Sequence, residues 1–211
     1  MPHSEALDRE RWAALWIRLG ARGDGLSIFD QLAAAYADPT RAYHTAEHIG
    51  DCLAQLDLSR SVGARHDEVE AALWFHDAVY LPGSADNEAR SAHLAGTSLA
   101  GSGVPVSAAD RIAGLVLATS HLGIPSETDA ALLCDIDLSI LGRSREIFDR
   151  FEQQIRREYS SVPEFSYRSA RSEILRGFQR RPCIYQTGYF HDRYEAPARS
   201  NLTWVLGELG D

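Results

Sequence analysis

Leu73-Trp74-Phe75-His76-Asp77-Ala78-Val79-Tyr80 is the stretch on which the reading of this chain turns. An imidazole and a carboxylate stand side by side in an otherwise apolar run. Burying that pair costs several kcal/mol unless something partners both groups. A divalent cation suits both, because neutral imidazole and carboxylate are good ligands. Two fragments of similar character flank it: Tyr43-His44-Thr45-Ala46-Glu47-His48 upstream and Cys134-Asp135-Ile136-Asp137-Leu138 downstream. Together they predict a metal site gathered from three helices, against the plainer reading of three unrelated polar interruptions.

Around these fragments apolar residues recur at i, i+3, i+4, and no run alternates as a strand does. A first helix is expected from a cap at Ser4 through Trp12 and Leu19, and a second through Phe29 and Tyr36. A third follows from a cap at Thr45, with Ile49, Cys52 and Leu56 on its apolar side. The fourth spans 67–80, the fifth starts at Ser84 or Asp86, and the sixth runs from Ser107 to His121. A seventh runs from Glu127 to Gly142, an eighth from Ser144 to Tyr159, a ninth over 166–180 and a tenth over 196–209. Loops are short, and neither repeat nor low-complexity linker is visible. The expectation is an all-α, single-domain helical bundle over 1–211.

Composition excludes several function classes. The 211 residues suffice for one sizeable core. A formal charge of −9 argues against double-stranded DNA as an electrostatic partner. All 21 basic side chains are arginine, so lysine nucleophiles, Schiff bases and a phosphate-loop lysine are ruled out. The three cysteines are scattered without C-x-x-C spacing, which indicates neither a disulfide framework nor a cysteine zinc site. Neither a membrane span nor a signal segment is read, so the expected setting is cytoplasmic, with no membrane partner. Twelve arginines between 143 and 199 favour a small anionic substrate, although solvated helix faces account for most of them. The oligomeric state stays open.

An N/O ligand set without thiolate suits Mn, Mg, Fe, Co, Ni or Zn, as one divalent ion or two. In a continuous helix His76 and Asp77 point about 100° apart, so one cavity must lie between their directions. Asp135 and Asp137 are two apart, so at most one aims squarely at the same point.

The chain resembles the HD-domain metal-dependent phosphohydrolases, whose signature is H…HD…D on a helical core, over about residues 40–142, with the helices of 143–211 packing on that core. It is closer still to an uncharacterised bacterial branch of predicted HD phosphohydrolases. The shared fragments are Arg41 to His48, Phe75 to Tyr80, Asp86 to Ala92 and Asp135 to Gly142. The resemblance implies a bundle of the phosphodiesterase-like type with His48, His76, Asp77 and Asp137 as metal ligands. Asp137 is preferred because Ile136-Asp137-Leu138-Ser139 aligns with the family's last aspartate, which leaves Asp135 to support the helix or to support a ligand from behind. Asp77 and His44 are the expected catalytic residues, His44 matching the histidine that protonates the leaving oxygen. Near a metal-activated water an imidazole can donate a proton at neutral pH.

Relatives with two metals use extra histidines, a role open to His121, which could also contact substrate. Arg41, Asn87, Glu88 and His121 are the substrate-binding candidates, with Arg157, Tyr159, Arg171 and Arg176 as further phosphate hands. Some HD nucleotidases carry a glutamate acid shortly after the HD pair, where this chain has Val79-Tyr80-Leu81. The implied activity is hydrolysis of a small phosphomonoester or phosphodiester, nucleotide-like, by metal-activated water. The alternatives are a non-catalytic metal- or nucleotide-binding domain and a diiron oxygenase of the same superfamily.

Overall fold

A computed structural model describes residues 7–210. The described residues form ten α-helices and one 3-10 segment with no strand, as the periodicity predicts. The cap expected at Ser4 lies outside the described residues. The first helix, α1 (Arg9–Arg18), is capped by Asp8, whose carboxylate accepts from the Arg11 amide. Gly25, with φ 65°, then turns the chain into α2 (Leu26–Tyr36). A Cβ on Gly25 would stand 2.6 Å from the Trp16 ring, so only glycine fits there.

Helix α3 (Ala46–Leu58) starts after Thr45, which takes the predicted cap position without a side-chain cap bond. Helix α4 (His66–Phe75) forms the centre, with every residue from Val69 to Phe75 buried. A helix buried all round over its last two turns belongs inside a bundle, and α4 touches α1, α3, α5, α6 and α7. Its aromatic end packs into a cluster of Trp12, Trp16, Phe29, Trp74 and Phe75. Each such ring contributes roughly 1.5–3 kcal/mol by burial. Glu70, almost fully buried, is met by Arg11 at 2.8 Å and Arg18 at 2.9 Å, which ties α1 to α4.

Helices α5 (Asn87–Gly101) and α6 (Val106–Ala118) form an antiparallel hairpin against α4. Helix α7 (Thr128–Asp137) tightens into a 3-10 segment, Leu138–Gly142, where a continuous helix to Gly142 was expected. The segment ends against Tyr194: Gly142 lies so close to the backbone of that residue that a Cβ would stand 2.7 Å from its carbonyl oxygen. Helices α8 (Arg145–Glu158), α9 (Glu164–Gln179) and α10 (Gly188–Glu208) complete the bundle.

Two further helices depart from expectation. Helix α4 stops at Phe75, so His76 and Asp77 lie in the turn that ends it rather than within it. Helix α10 begins eight residues before the expected 196, with Pro197 inside it. Proline alone suggests a helix start. Here the buried Phe190, Tyr194, Ala198 and Leu202 hold the helix together across the missing N–H. None of the described helices is long and apolar enough to cross a membrane.

Candidate metal centre

The turn after α4 is built by other parts of the chain. Arg41 donates to the carbonyls of Asp77 (2.7 Å), Ala78 (3.1 Å) and His44 (3.2 Å), and Ser91 Oγ accepts from the Val79 amide. With its backbone groups satisfied by side chains, the chain leaves the helix at no hydrogen-bonding cost. His76 Nδ1 bonds the Leu73 carbonyl at 2.9 Å, which sets the ring's orientation and leaves Nε2 facing inward.

Four predicted residues meet there. His76 Nε2 lies 3.0 Å from Asp77 Oδ2 and 3.1 Å from His48 Nε2. His48 Nε2 lies 3.3 Å from Asp137 Oδ1 and 3.5 Å from Asp77 Oδ2, and His76 Nε2 lies 3.6 Å from Asp137 Oδ1. Ligand atoms about 2.1 Å from one cation stand about 3.0 Å apart on an octahedral edge and about 3.4 Å apart on a tetrahedral one. Those five separations, 3.0–3.6 Å, lie near these values, so the donors suit a divalent cation. The imidazoles are buried, and the two carboxylates keep some access to solvent.

The electrostatics agree with that fit. Burial pushes the His48 and His76 rings toward neutrality, yet their neighbours outweigh it and hold both well above the ordinary histidine range: Cys52, Tyr43, Asp137 and Asp77 around His48, and the two aspartates around His76. Burial likewise opposes the charge on Asp77 and Asp137, but the neighbouring imidazoles keep both carboxyls well below their usual range. Positive charge is strongly favoured at the centre of this cluster.

Cys52, one turn after His48, was not anticipated. A group of His48, Cys52, His76 and Asp137 could also hold a metal ion. The sulfur stands 3.8 Å from both nitrogens of the His48 ring, whereas Asp77 approaches both imidazoles more closely. Both sets share His48, His76 and Asp137 and differ in whether Asp77 or Cys52 completes them. The signal for Cys52 was present in its i, i+4 spacing from His48.

His121 closes α6 in a left-handed conformation, φ 54°, with Nε2 2.8 Å from Asp137 Oδ2, and Arg181 braces its carbonyl at 2.6 Å. His44 sits just outside α3, its ring stacked on Tyr80 at 3.9 Å. Its Nδ1 lies 2.7 Å from Oε2 of Glu158, leaving Nε2 as the ring atom free to exchange a proton. Glu158 was missed, although it continues the buried stripe Phe148, Phe151, Ile155 of α8, where a carboxylate is out of place.

Other expected substrate contacts are redirected. Arg41 spends its guanidinium on backbone carbonyls and acts as a clamp on the turn, not as a free phosphate hand. Asn87 exchanges hydrogen bonds with the backbone of Leu81 and staples the turn before α5, although it also lines the cleft. Arg157 is exposed on α8. Asp135 accepts from the Gln186 and Thr187 amides and from Thr187 Oγ1, fastening the start of α10 away from the cluster.

A cleft of about 350 Å³ opens onto the cluster, and His44, Asp77, Glu88, His121 and Asp137 are among its lining residues. Comparison with protein-family models, curated proteins and solved structures finds no match for this chain.

Proposed function

We propose that this chain is a metal-dependent phosphohydrolase acting on a small anionic phosphoester in the cytoplasm. One observation carries the reading: two imidazoles and two carboxylates from α3, the end of α4 and α7 face one point at the floor of a cleft, beside a carboxylate-held histidine. The resemblance to the HD-domain phosphohydrolases supports it.

His48, His76, Asp77 and Asp137 would hold the cation. Bound there, a divalent ion supplies Lewis acidity toward a phosphoryl oxygen and lowers the pKa of coordinated water toward neutrality. The chain's own part is positioning and proton transfer. Glu158 and the Tyr80 ring fix the His44 imidazole so that Nε2 can give a proton to the departing oxygen. His121 holds the second oxygen of Asp137, which orients that carboxylate toward the cluster.

The test is a panel of nucleotides, cyclic nucleotides and simple phosphoesters with Mn, Co, Ni and Mg. Asp77→Ala is expected to lose both bound metal and turnover. His44→Ala is expected to keep its metal while kcat falls by about 10²–10⁴. A wild-type rate in His44→Ala would remove the acid role, and no phosphate release with any metal would sink the reading.

A further inference from the structure

The cleft's outer half differs chemically from its metal end. Ile155, Ile174, Leu175 and Phe178, from α8 and α9, form an apolar wall, and Ile174 is half exposed with no partner of its own class over it. The polar side chains across from this wall are mostly occupied within the chain. Ser84 bonds Asp86, Asn87 bonds Leu81, Thr119 bonds the Val116 carbonyl, and the Tyr159 hydroxyl accepts from the Gly83 amide. Among the described lining residues Ser120 and the Tyr43 hydroxyl are left to meet a ligand, and Glu88 is an unpaired charge.

Charge is scarce as well. Among the described lining residues Arg171 is the one permanent cation, and its guanidinium is forked onto Glu152 through Nε at 3.1 Å and Nη2. Asp77, Asp137 and Glu88 are all acidic. A bound divalent ion would offset two carboxylates and leave nothing to meet a chain of several phosphates. A sugar would bring hydroxyls to a wall that cannot bond them, and unpaired polar groups in such a wall are costly. At about 350 Å³ the space is at the small end for ligand pockets, roughly 300–1,000 Å³.

We infer that the substrate is a monophosphate ester of a compact apolar alcohol, with one phosphoryl group at the metal end and a hydrocarbon body against the wall of α8 and α9. This rests on the phosphohydrolase reading and narrows it away from nucleoside polyphosphates and sugar phosphates. The reaction is plain hydrolysis: water adds to phosphorus, the phosphorus–oxygen ester bond breaks, the alcohol leaves with a proton from His44, and the proton released by the attacking water restores that imidazole.

The test compares cyclohexylmethyl phosphate with glycerol phosphate and a nucleoside triphosphate, using the full chain with Mn. The two alcohols are comparably poor leaving groups, so a difference reports the wall rather than leaving-group reactivity. The expected kcat/KM ratio favours cyclohexylmethyl phosphate by about tenfold or more over glycerol phosphate. Ile174→Asp, at a half-exposed position that tolerates a charge, is expected to bring this ratio close to one, and Ile174→Val to retain most of it. Equal or better turnover of glycerol phosphate or the triphosphate overturns the inference and leaves the phosphohydrolase reading standing. An unchanged ratio in Ile174→Asp overturns it too. Absence of phosphate release from all three esters with Mn, Co, Ni and Mg overturns both.

Discussion

Glu158 accepts from the amides of Ala42, Tyr43 and His44, from the Tyr80 hydroxyl, and pairs with His44 Nδ1. One carboxylate thus sets the loop before α3 and the ring it carries. Burial alone would raise its carboxyl, but His44 and the converging N–H groups outweigh that and hold it at about 2, against an ordinary 4.5. A carboxyl depressed in the folded state stabilises above its unfolded value and loses that contribution as pH falls through the folded one. Allowing for solvent screening, it contributes about 2 kcal/mol at neutral pH. Urea unfolding of wild type and Glu158→Gln should show a gap that is full above about pH 4.5 and closes toward pH 2. A gap that is constant over this range would show that Glu158 acts by shape and not by charge.

The two aspartates of Asp135-Ile136-Asp137 divide their duties because α7 turns between them. Asp135 faces α10 and is buried, and its carboxyl is raised by that burial despite three donors. Asp137, at the helix's last position, faces the imidazoles. Asp135→Ala strands the start of α10 and should cost about 2–4 kcal/mol while the protein still retains metal. Asp137→Ala should lose the metal. Urea midpoints and bound metal, measured on both variants, separate the roles. Metal loss in a stably folded Asp135→Ala would reverse the assignment.

The cluster joins α3, the end of α4 and α7, so a cation bound there would cross-link the middle of the bundle. Unfolding must release it, and metal at about 100 times its Kd adds about 2.7 kcal/mol. For a chain of this size that corresponds to a midpoint raised by about 5–10 °C, which thermal unfolding with and without chelator reads directly. Asp77→Ala should abolish the increment. No shift with Mn, Co, Ni or Zn would show that the cluster holds protons and no cation.

The sequence by itself determined that the chain is helical, where most helices begin, and which polar residues interrupt apolar faces. Those properties repeat every three to four residues and are carried by neighbours. His76 and Asp77 were legible because a charge in an oily segment stands out locally, whereas the roles of His44 and His48 and the choice of Asp137 over Asp135 came from the resemblance to the HD-domain family. Tertiary structure alone decided that α4 ends before His76, since the turn is held by Arg41 from 36 residues away. It also decided that Glu158 reaches His44 across 114 residues, that Arg41 binds carbonyls and that Arg171 is spent on Glu152. Periodicity gives the direction of a side chain about its own helix axis. It carries no information on which distant group waits there, because that depends on how the helices cross.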